Sequence, residues 1–189
     1  MDVVDAIHMR RARRILSEKP IEKEKVDALV EAVRLSASCF NNQPWRITLC
    51  MGPETLPKVK EALSKGNSWA TKAPLIMVVA SRPNDDCTLS DRRDYFLFST
   101  GLGIGQLELR ATELGLIAHP IAGYDPIKAK QILGIPEDYI VITFVIIGYP
   151  GTDDSLLSDK QKESEKTRPD RKPVSENFFL DGWGKPYHL

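Results

Sequence analysis

Cysteine is scarce in this chain of 189 residues, which contains only Cys39, Cys50 and Cys87. The three lie far apart in the sequence and form no CxxC pair, which argues against a disulfide framework and against a zinc ribbon. The three histidines show no metal-ligand spacing either. We therefore expect no metal site, and the low cysteine content favours a reducing compartment, the cytoplasm.

Long apolar runs and an excess of charge are also lacking. The longest apolar stretch, "YIVITFVIIGY", is about half as long as the roughly 20 residues of a membrane helix. The first residues, "MDVVDAIHMRR", lack the apolar core of a signal peptide. Lys and Arg number 26, and Asp and Glu also number 26, whereas a nucleic-acid-binding protein carries an excess of Lys and Arg. These absences predict no membrane and no nucleic-acid partner.

Positive charge is nevertheless concentrated at residues 9–14, which read "MRRARR". Clusters of this kind occur in nucleic-acid-binding arms, in targeting signals and in phosphate sites. Since the chain as a whole is neutral, the cluster must have a local purpose, but it does not by itself distinguish these three. If the first helix continues through the cluster, Arg10 and Arg14 share a face and Arg13 does not.

Hydrophobic periodicity predicts alternating helices and strands. Helices are expected at about 2–10, 26–33, 56–63, 91–114 and 125–133. Strands are expected at "WRITLCM", "PLIMVVAS" and "YIVITFVIIGYP", of which the last two are strongly buried. In "WRITLCM" the alternation places Leu49 and Met51 on the apolar side and Cys50 opposite. Gly115 is expected to cap the long helix, and Asp125 and Gly134 to begin and end the last one.

Two smaller patterns have ordinary explanations. "GLGIG" at 101–105 lacks the spacing of a phosphate loop, and Gly101 and Gly105 share a helical face, which favours close helix packing. Cys39 lies in a polar loop, where it is either a nucleophile or, as we favour, a small packing residue. No GxSxG elbow supports a serine nucleophile.

The end of the chain combines a polar segment with an apolar tip. Residues from Gly151 onward are charged and rich in Pro and Ser until "ENFFLDGW", which contains Phe178, Phe179 and Trp183. Such a segment either frays or packs its aromatic end on a partner. Exchange of an extended arm between two subunits would account for it.

Four stretches follow one another along the chain: "RRARR" at 10–14, "SASCFNNQPWRI" at 36–47, "ATELGLIAHPIAGYD" at 111–125, and "IIGYP" with "RKPVSE" at 146–150 and 171–176. In this order they resemble the RRSxR start, the APSxxNxQPWxF loop, the AxxLGLGSxxIxGFD segment and the LGYP and R-x-P-L-x-E ending of the flavin-dependent nitroreductase family. The resemblance covers nearly the whole chain.

The resemblance implies an α+β fold with a central, mostly antiparallel sheet flanked by helices. It implies one domain over residues 1–189, in an intertwined homodimer whose C-terminal arm, residues 151–189, packs on the partner subunit. It also implies FMN at the dimer interface, with NADH or NADPH as the reductant and a small-molecule electron acceptor.

The resemblance also implies roles for individual residues. The FMN phosphate would be held by Arg10, Arg11, Arg14 and Arg171, with Arg168 as a looser candidate, because an arginine fork matches phosphate oxygens. The isoalloxazine and ribityl groups would contact Ser38, Asn41, Gln43 and Asn67. Pro120 and Ile121 would line the ring, while backbone N–H groups of Ala122 and Gly123 would approach flavin N5. No catalytic side chain is expected, since the flavin carries the chemistry.

Two residues depart from the family pattern, and one arginine has no family role. Ala12 stands where the family has Ser, and Ala37 stands where it has Pro. The lost hydroxyl predicts FMN binding about ten-fold or more weaker than in relatives, because a hydrogen bond to a charged group contributes roughly 1.5–3 kcal/mol. Arg13 is expected to face solvent.

These inferences favour an FMN-dependent NAD(P)H oxidoreductase that reduces nitroaromatics, quinones or similar acceptors by a ping-pong mechanism. Three alternatives stay open at this point. One is a flavoenzyme of the same fold that performs reductive dehalogenation or flavin destruction. Another is a flavin-binding dimer without turnover, and the last, disfavoured by the neutral charge, is a nucleic-acid module built on "MRRARR".

Overall fold

Five strands form the centre of the fold in the computed structural model, which describes residues 1–188. They are β1 (Leu16–Ser17), β2 (Arg46–Cys50), β3 (Leu75–Ser81), β4 (Ile117–Ile121) and β5 (Ile140–Pro150). β3 lies between β2 and β5, and the other edge of β5 pairs with β1 and β4. All these pairings are antiparallel, as expected.

Seven α-helices surround this sheet in the described part of the chain. They are α1 (Val3–Met9), α2 (Lys23–Arg34), α3 (Thr55–Lys60), α4 (Tyr95–Glu113), α5 (Pro126–Leu133), α6 (Asp159–Lys166) and α7 (Val174–Asn177). One core contains α2 and α4 against one face of the sheet, and a second core contains α3 and α5 against the other. The α+β class is therefore confirmed. Each helix within residues 1–188 is too short or too polar to span a bilayer.

The continuous apolar composition of β3 follows from its central position. Every residue of β3 is buried, and its side chains alternate between the two cores. Leu75 and Met77 point into the core beneath α2 and α4, while Ile76 and Val78 point into the other. A strand buried on both faces needs no polar alternation, so its sequence reads as one apolar run.

Local signals set several helix ends where the sequence predicts them. Asp125 Oδ1 accepts hydrogen bonds from the N–H groups of Ile127 and Lys128 at the start of α5. Gly134 ends that helix in the left-handed conformation, with φ of 63°. Gly115, with φ of 72°, follows α4 in the same way. Glycine has no Cβ, so it adopts this conformation without strain.

The first helix lies where it was predicted, but it does not continue through the arginine cluster, so the condition for Arg10 and Arg14 to share a helical face is not met. α1 ends at Met9, and Arg10 is extended, with φ of −58° and ψ of 122°. Arg10 and Arg14 are therefore not related by a helical turn.

Several expectations need correction. β2 is an edge strand whose side chains alternate as predicted, with Ile47 against the core beneath α2 and α4 and Cys50 in the opposite core. Its burial differs from the prediction, because Cys50 is buried whereas Leu49 and Met51 are partly exposed. β4 was not expected as a strand. Space is open around the Cβ positions of Gly101 and Gly105. It is Gly103 that packs on α2, where an added Cβ would lie 3.1 Å from Val33 Cγ1.

The cysteines also differ from expectation. Cys39 and Cys87 form a disulfide across 48 residues of sequence, so Cys39 is not a free thiol. Two cysteines this far apart give no local sequence signal. Only the packing of the loop after α2 against the segment before α4 brings them together.

Candidate active site

Five arginines converge on one cavity of about 290 Å³. Its wall is formed by two distant segments, residues 10–14 after α1 and residues 164–171 around the end of α6. The lining residues are Arg10, Arg11, Ala12, Arg14, Ser164, Arg168, Pro169 and Arg171. The arginines predicted as phosphate ligands from both ends of the chain, together with the looser candidate Arg168, are thus adjacent. Ala12, the departure from the family serine, lies in the same wall.

Arg11 anchors the end of α6. Its Nη2 donates to the carbonyl oxygens of Ser164, Glu165 and Thr167 at 3.1, 3.0 and 2.7 Å. The last carbonyls of a helix have no partner within the helix, and the helix dipole favours a cation there. Nη2 of Arg11 therefore has a structural role at the end of α6, while the guanidinium charge adds to the positive charge of the cavity.

Arg168 makes the reciprocal contact with α1. Its Nη2 donates to the carbonyl oxygens of His8 and Arg10 at 2.7 and 2.6 Å, and more weakly to that of Ile7 at 3.4 Å. Each arginine thus follows one helix in sequence and caps the C-terminus of the other. This exchange holds the two cationic segments together although more than 150 residues separate them.

The other arginines of the cavity make fewer bonds within the chain. Arg10 Nη1 lies 3.3 Å from Glu108 Oε1, where burial raises the pKa of Glu108 and the Arg10 charge opposes that shift. Arg14 Nη1 lies 3.8 Å from Glu165. The Arg171 guanidinium has no hydrogen bond or ion pair to any residue that the structure describes. Five guanidinium groups therefore face two neighbouring carboxylates, and the cavity carries an excess of positive charge.

Glu165 is a site residue that the sequence did not indicate. Its side chain is only 6% exposed and accepts a hydrogen bond from the Arg14 backbone N–H at 2.8 Å. Arg13 Nε lies 3.5 Å from the same carboxylate, so Arg13 is partly buried and paired rather than facing solvent. No local motif marks Glu165, because its partners are about 150 residues away.

Trp69 connects the arginine cavity to the segment "HPIAGYD". The guanidinium of Arg14 lies 6.0 Å from the centre of the Trp69 ring, and His119 stacks on that ring at 4.9 Å. Trp69 Nε1 donates to Asn67 Oδ1 at 3.2 Å. Trp69 is fully buried, which fixes all three neighbours against one rigid side chain.

His119 is held neutral inside this arrangement. The pKa of His119 is lowered to about 4, mainly by burial and to a smaller extent by the charges of Arg14 and Arg10, while a hydrogen bond to the Arg13 backbone acts in the opposite direction. Its Nδ1 lies 3.0 Å from the Arg13 carbonyl oxygen, which can only accept, so Nδ1 carries the proton. His119 thereby ties β4 to the arginine segment.

Asn67 positions the turn at Gly123. Its Nδ2 donates to the Gly123 carbonyl at 2.9 Å, and the Ser64 N–H donates to the same oxygen at 3.1 Å. A Cβ on Gly123 would lie 2.4 Å from Asn67 Nδ2 and 2.6 Å from Ser64 Oγ. The close approach that requires glycine here is therefore made by the protein itself, and Asn67 has a structural partner at each end of its amide.

The end of β4 presents the remaining predicted ring-lining residues. Ile121 is buried, and its carbonyl accepts from Thr143 Oγ1 at 3.0 Å, whereas Pro120 is only partly buried. The backbone N–H groups of Ala122 and Gly123 donate to no acceptor within residues 1–188. The turn therefore offers two donors in a position that Asn67 and Ser64 fix.

The loop that carries Ser38, Asn41 and Gln43 lies elsewhere. Ser38 Oγ accepts from the Gln43 N–H at 2.9 Å, and the loop is bound to α4 and to the segment before it. Between this loop and the arginine cavity or the Gly123 turn, the described residues form no hydrogen bond or ion pair. These three predicted flavin contacts are therefore not brought together with the rest of the site within one chain.

The backbone of this loop is strained and its tip is exposed. Phe40, Asn41 and Gln43 have φ of 45°, 59° and 49°, a region that residues other than glycine adopt at a cost. The Phe40 side chain is 92% exposed. The sequence suggested a turn from its Ser and Asn content, but not this conformation.

Comparisons with known proteins identify the family to which this chain is similar. A family model described as the nitroreductase family matches residues 7–68 and 63–149. A protein of Archaeoglobus fulgidus with the provisional name NADH dehydrogenase/NAD(P)H nitroreductase is 29% identical over 175 residues, covering 87% of this chain and 92% of that protein. The Bacillus subtilis protein named FMN reductase (NAD(P)H) is 24% identical, covering 79% and 66%.

A solved structure described as an oxidoreductase containing FMN has a TM-score of 0.84 and 28% identity, and the match covers 98% of this chain and 93% of that one. The family model spans most of the chain, including the arginine segment and the Gly123 turn. The expected fold and the expected oxidoreductase class are thereby confirmed. The chain belongs to the nitroreductase family.

Proposed function

We propose that this chain is an NAD(P)H-dependent oxidoreductase that holds FMN between the arginine cavity and the Gly123 turn and passes electrons to small electron-poor acceptors. FMN and NAD(P)H are the cofactors that the family and the named relatives support. The observation that carries the proposal is the chain of contacts from Arg14 through Trp69 and Asn67 to Gly123. It joins the cationic cavity to a turn with two unpartnered N–H donors.

The donors present fit the phosphate group of FMN. Arginine offers a planar fork matched to phosphate oxygens, and such charge-assisted bonds are stronger than neutral ones. Arg10 and Arg14 use only Nη1 for partners in the described chain, and Arg171 uses no guanidinium N–H there, so all three retain donors for a ligand. Arg11 and Arg168 use only Nη2 to cap helices and also retain donors. A dianion would compensate the excess of guanidinium groups over the neighbouring Glu108 and Glu165.

The residues at the Gly123 end of the site position the flavin and do not take part in the reaction themselves. When bound, FMN supplies the chemistry by accepting a hydride from NAD(P)H and giving electrons to the acceptor. Asn67 and Ser64 fix the Gly123 carbonyl, which leaves the N–H groups of Ala122 and Gly123 free to hold a flavin edge. Pro120 and Ile121 supply an apolar wall. No side chain is required to take or give a proton.

A second copy of the chain would complete this site. α4 exposes Leu97, Phe98 and Leu102, and open space over Gly101 and Gly105 allows another helix to approach closely. This face continues to Arg10 at the edge of the cavity. We propose that the homodimer forms here and that the loop with Ser38, Asn41 and Gln43 reaches the partner's flavin.

The C-terminal arm provides a second reason for a dimer. Residues 178–187 form a small hairpin in which Phe179 and Trp183 pack on each other at 5.1 Å. Trp183 is nevertheless 93% exposed, and Phe178 and Leu180 are also exposed. We propose that the arm, residues 151–189, packs this apolar tip on the partner subunit. Leu189 lies outside the described residues. A cytoplasmic location likewise stays a proposal.

Purified protein tests the proposed activity directly. The protein should be yellow, NADH or NADPH should bleach the flavin anaerobically, and a quinone or nitroaromatic should restore the colour. Initial rates should give parallel double-reciprocal lines, as in a ping-pong mechanism. A colourless protein that does not bind added FMN would refute the proposal. Halide release from a halogenated aromatic would instead indicate reductive dehalogenation. Irreversible loss of the flavin absorbance would indicate flavin destruction.

A further inference from the structure

A group of three potential metal ligands lies away from the arginine cavity. The sulfur atoms of Cys39 and Cys87 and a carboxylate oxygen of Asp86 lie within 4.8 Å of one another. Cys39 belongs to the exposed loop after α2, while Asp86 and Cys87 belong to the segment before α4. The sulfurs are joined as a disulfide in this structure.

Asp86 has a buried carboxylate oxygen without a partner, which the disulfide does not explain. Its side chain is buried, with 7% of the residue exposed. Oδ1 accepts from the Cys87 N–H at 2.8 Å and from Asn42 Nδ2 at 3.3 Å. Oδ2 is also buried but has no hydrogen-bond partner among residues 1–188. An unpaired buried carboxylate oxygen is costly, and a cation is the partner that would remove the cost.

We propose that the reduced form of this site binds one thiophilic divalent cation, of which Zn²⁺ is the best match, through Cys39 Sγ, Cys87 Sγ and Asp86 Oδ2. Zinc takes thiolate sulfur at about 2.3 Å and carboxylate oxygen at about 2.0–2.2 Å, usually in a tetrahedron. Three protein ligands leave the fourth position for water. The Cα atoms of the two cysteines are 6.1 Å apart, so small side-chain rotations separate the sulfurs while the backbone stays in place.

The cation and the disulfide exclude each other. A thiol reductant gives two electrons and two protons to the disulfide and leaves as its own disulfide, so that Cys39 and Cys87 each become a thiol. Zn²⁺ then displaces the two thiol protons and is bound by two thiolates and the Asp86 carboxylate. An added small-molecule disulfide reverses the sequence: it takes two electrons from the two thiolates and becomes two thiols with protons from water, while the Cys39–Cys87 disulfide re-forms and the ion is released. Either state ties the loop of Ser38, Asn41 and Gln43 to the start of α4.

Metal binding by the FMN-loaded protein tests the proposal. Protein reduced with a phosphine, which adds no competing thiol, should bind one Zn²⁺ per chain in equilibrium dialysis, and the disulfide form should bind none. Binding in weak buffer should release two protons. Co²⁺ in place of Zn²⁺ should give the ligand-field bands of a tetrahedral thiolate site, which lie to the red of the flavin absorption.

Variants identify the ligands. Cys39→Ser and Cys87→Ser should abolish binding of one ion per chain. Asp86→Asn keeps an acceptor for Cys87 N–H and Asn42 but removes the ligand charge, and it should weaken binding at least about ten-fold. Cys50→Ala removes the third, buried cysteine and should leave the affinity unchanged. Flavin absorbance and circular dichroism show that each variant is folded.

Three results would overturn the proposal. They are no zinc bound by reduced wild-type protein, equal affinity in wild type and Cys39→Ser, and equal affinity in wild type and folded Asp86→Asn. The first result would show that the two cysteines form a disulfide and no metal site. The second would show that any bound ion lies elsewhere, and the third would show that Asp86 is not a ligand.

Discussion

Arg11 and Arg168 cap each other's preceding helix: Arg11 caps α6, which precedes Arg168, and Arg168 caps α1, which precedes Arg11. Arg11 follows α1 and binds the carbonyls at the end of α6, and Arg168 follows α6 and binds those at the end of α1. The two arginines therefore fix the two walls of the cavity relative to each other. The cavity depends on this exchange before any ligand arrives.

Replacing either arginine should loosen the C-terminal segment. Arg11→Ala and Arg168→Ala each remove charge-assisted hydrogen bonds to helix carbonyls, so we expect a loss of about 1–2 kcal/mol in the free energy of unfolding. Proteolysis should also cut residues 151–188 faster. Arg34→Ala removes an arginine whose ion pair with Glu31 is exposed, and it should cost less than about 0.5 kcal/mol. Equal effects for all three variants would contradict the role of the caps.

A methyl group at Gly123 should disrupt the turn. Gly123→Ala would drive a Cβ into Asn67 Nδ2 and Ser64 Oγ, and we expect a loss of about 1–3 kcal/mol in stability together with weaker flavin binding. Gly52→Ala is the matched control, because a Cβ there meets nothing within 4 Å. Thermal unfolding of the two variants measures the difference. Gly123→Ala as stable as Gly52→Ala would show that the turn tolerates a side chain.

The neutral state of His119 predicts loss of stability in mild acid. The pKa of His119 is lowered from 6.5 to about 4 in the folded chain, so the unfolded chain binds the proton more readily between these values. Stability is therefore complete above pH 6.5 and falls as the pH decreases towards 4, by roughly 1.4 kcal/mol per pH unit at most.

A variant separates His119 from the acidic groups. Asn at position 119 carries Nδ2 near the place of histidine Nδ1, so His119→Asn can keep the donor to the Arg13 carbonyl without titrating. The unfolding free energy of this variant, measured by urea titration, should change much less between pH 6.5 and 4.5. A slope as steep as that of the wild type would assign the pH dependence to other residues.

The exposed face of α4 predicts a specific dimer contact. Leu102→Glu puts a charge on that face, so we expect it to dissociate the homodimer and release flavin together. Ile127→Glu adds the same charge at an exposed isoleucine of α5 and should leave both unchanged. Sedimentation measures the mass of each variant. A Leu102→Glu protein that stays dimeric would move the interface away from this face.

Local chemistry allowed much of the fold to be predicted. The apolar composition of β3 and β5 identified the buried strands, and Asp125 and Gly134 identified the ends of α5, because each signal acts within a few residues. β4 was missed since its sequence, "IAHPI", contains a proline and a histidine. In the fold, His119 donates to the Arg13 carbonyl, and Pro120 lies on the edge of the sheet, where no ladder donor is needed.

The candidate site was predictable only in part. The arginine cluster and "HPIAGYD" are marked by their own residue types, but what joins them is not. Trp69 and Glu165 act through contacts with residues remote in sequence, and the disulfide depends on the packing of two loops. Arg13 illustrates the same point, because its burial depends on Glu165 rather than on its neighbours in the cluster.

The phosphate preference of the arginine cavity tests the account most directly. Riboflavin is FMN without the phosphate, so the ratio of their dissociation constants, measured by flavin fluorescence, isolates the contribution of the cavity. Wild type should bind FMN at least about a hundred-fold more tightly than riboflavin, because each charge-assisted bond contributes roughly 1.5–3 kcal/mol. Arg10→Ala and Arg14→Ala should each reduce that ratio at least about ten-fold by weakening FMN alone, while Arg13→Ala should leave it unchanged. Equal affinities of the wild type for FMN and riboflavin would contradict the assignment of this cavity to the phosphate.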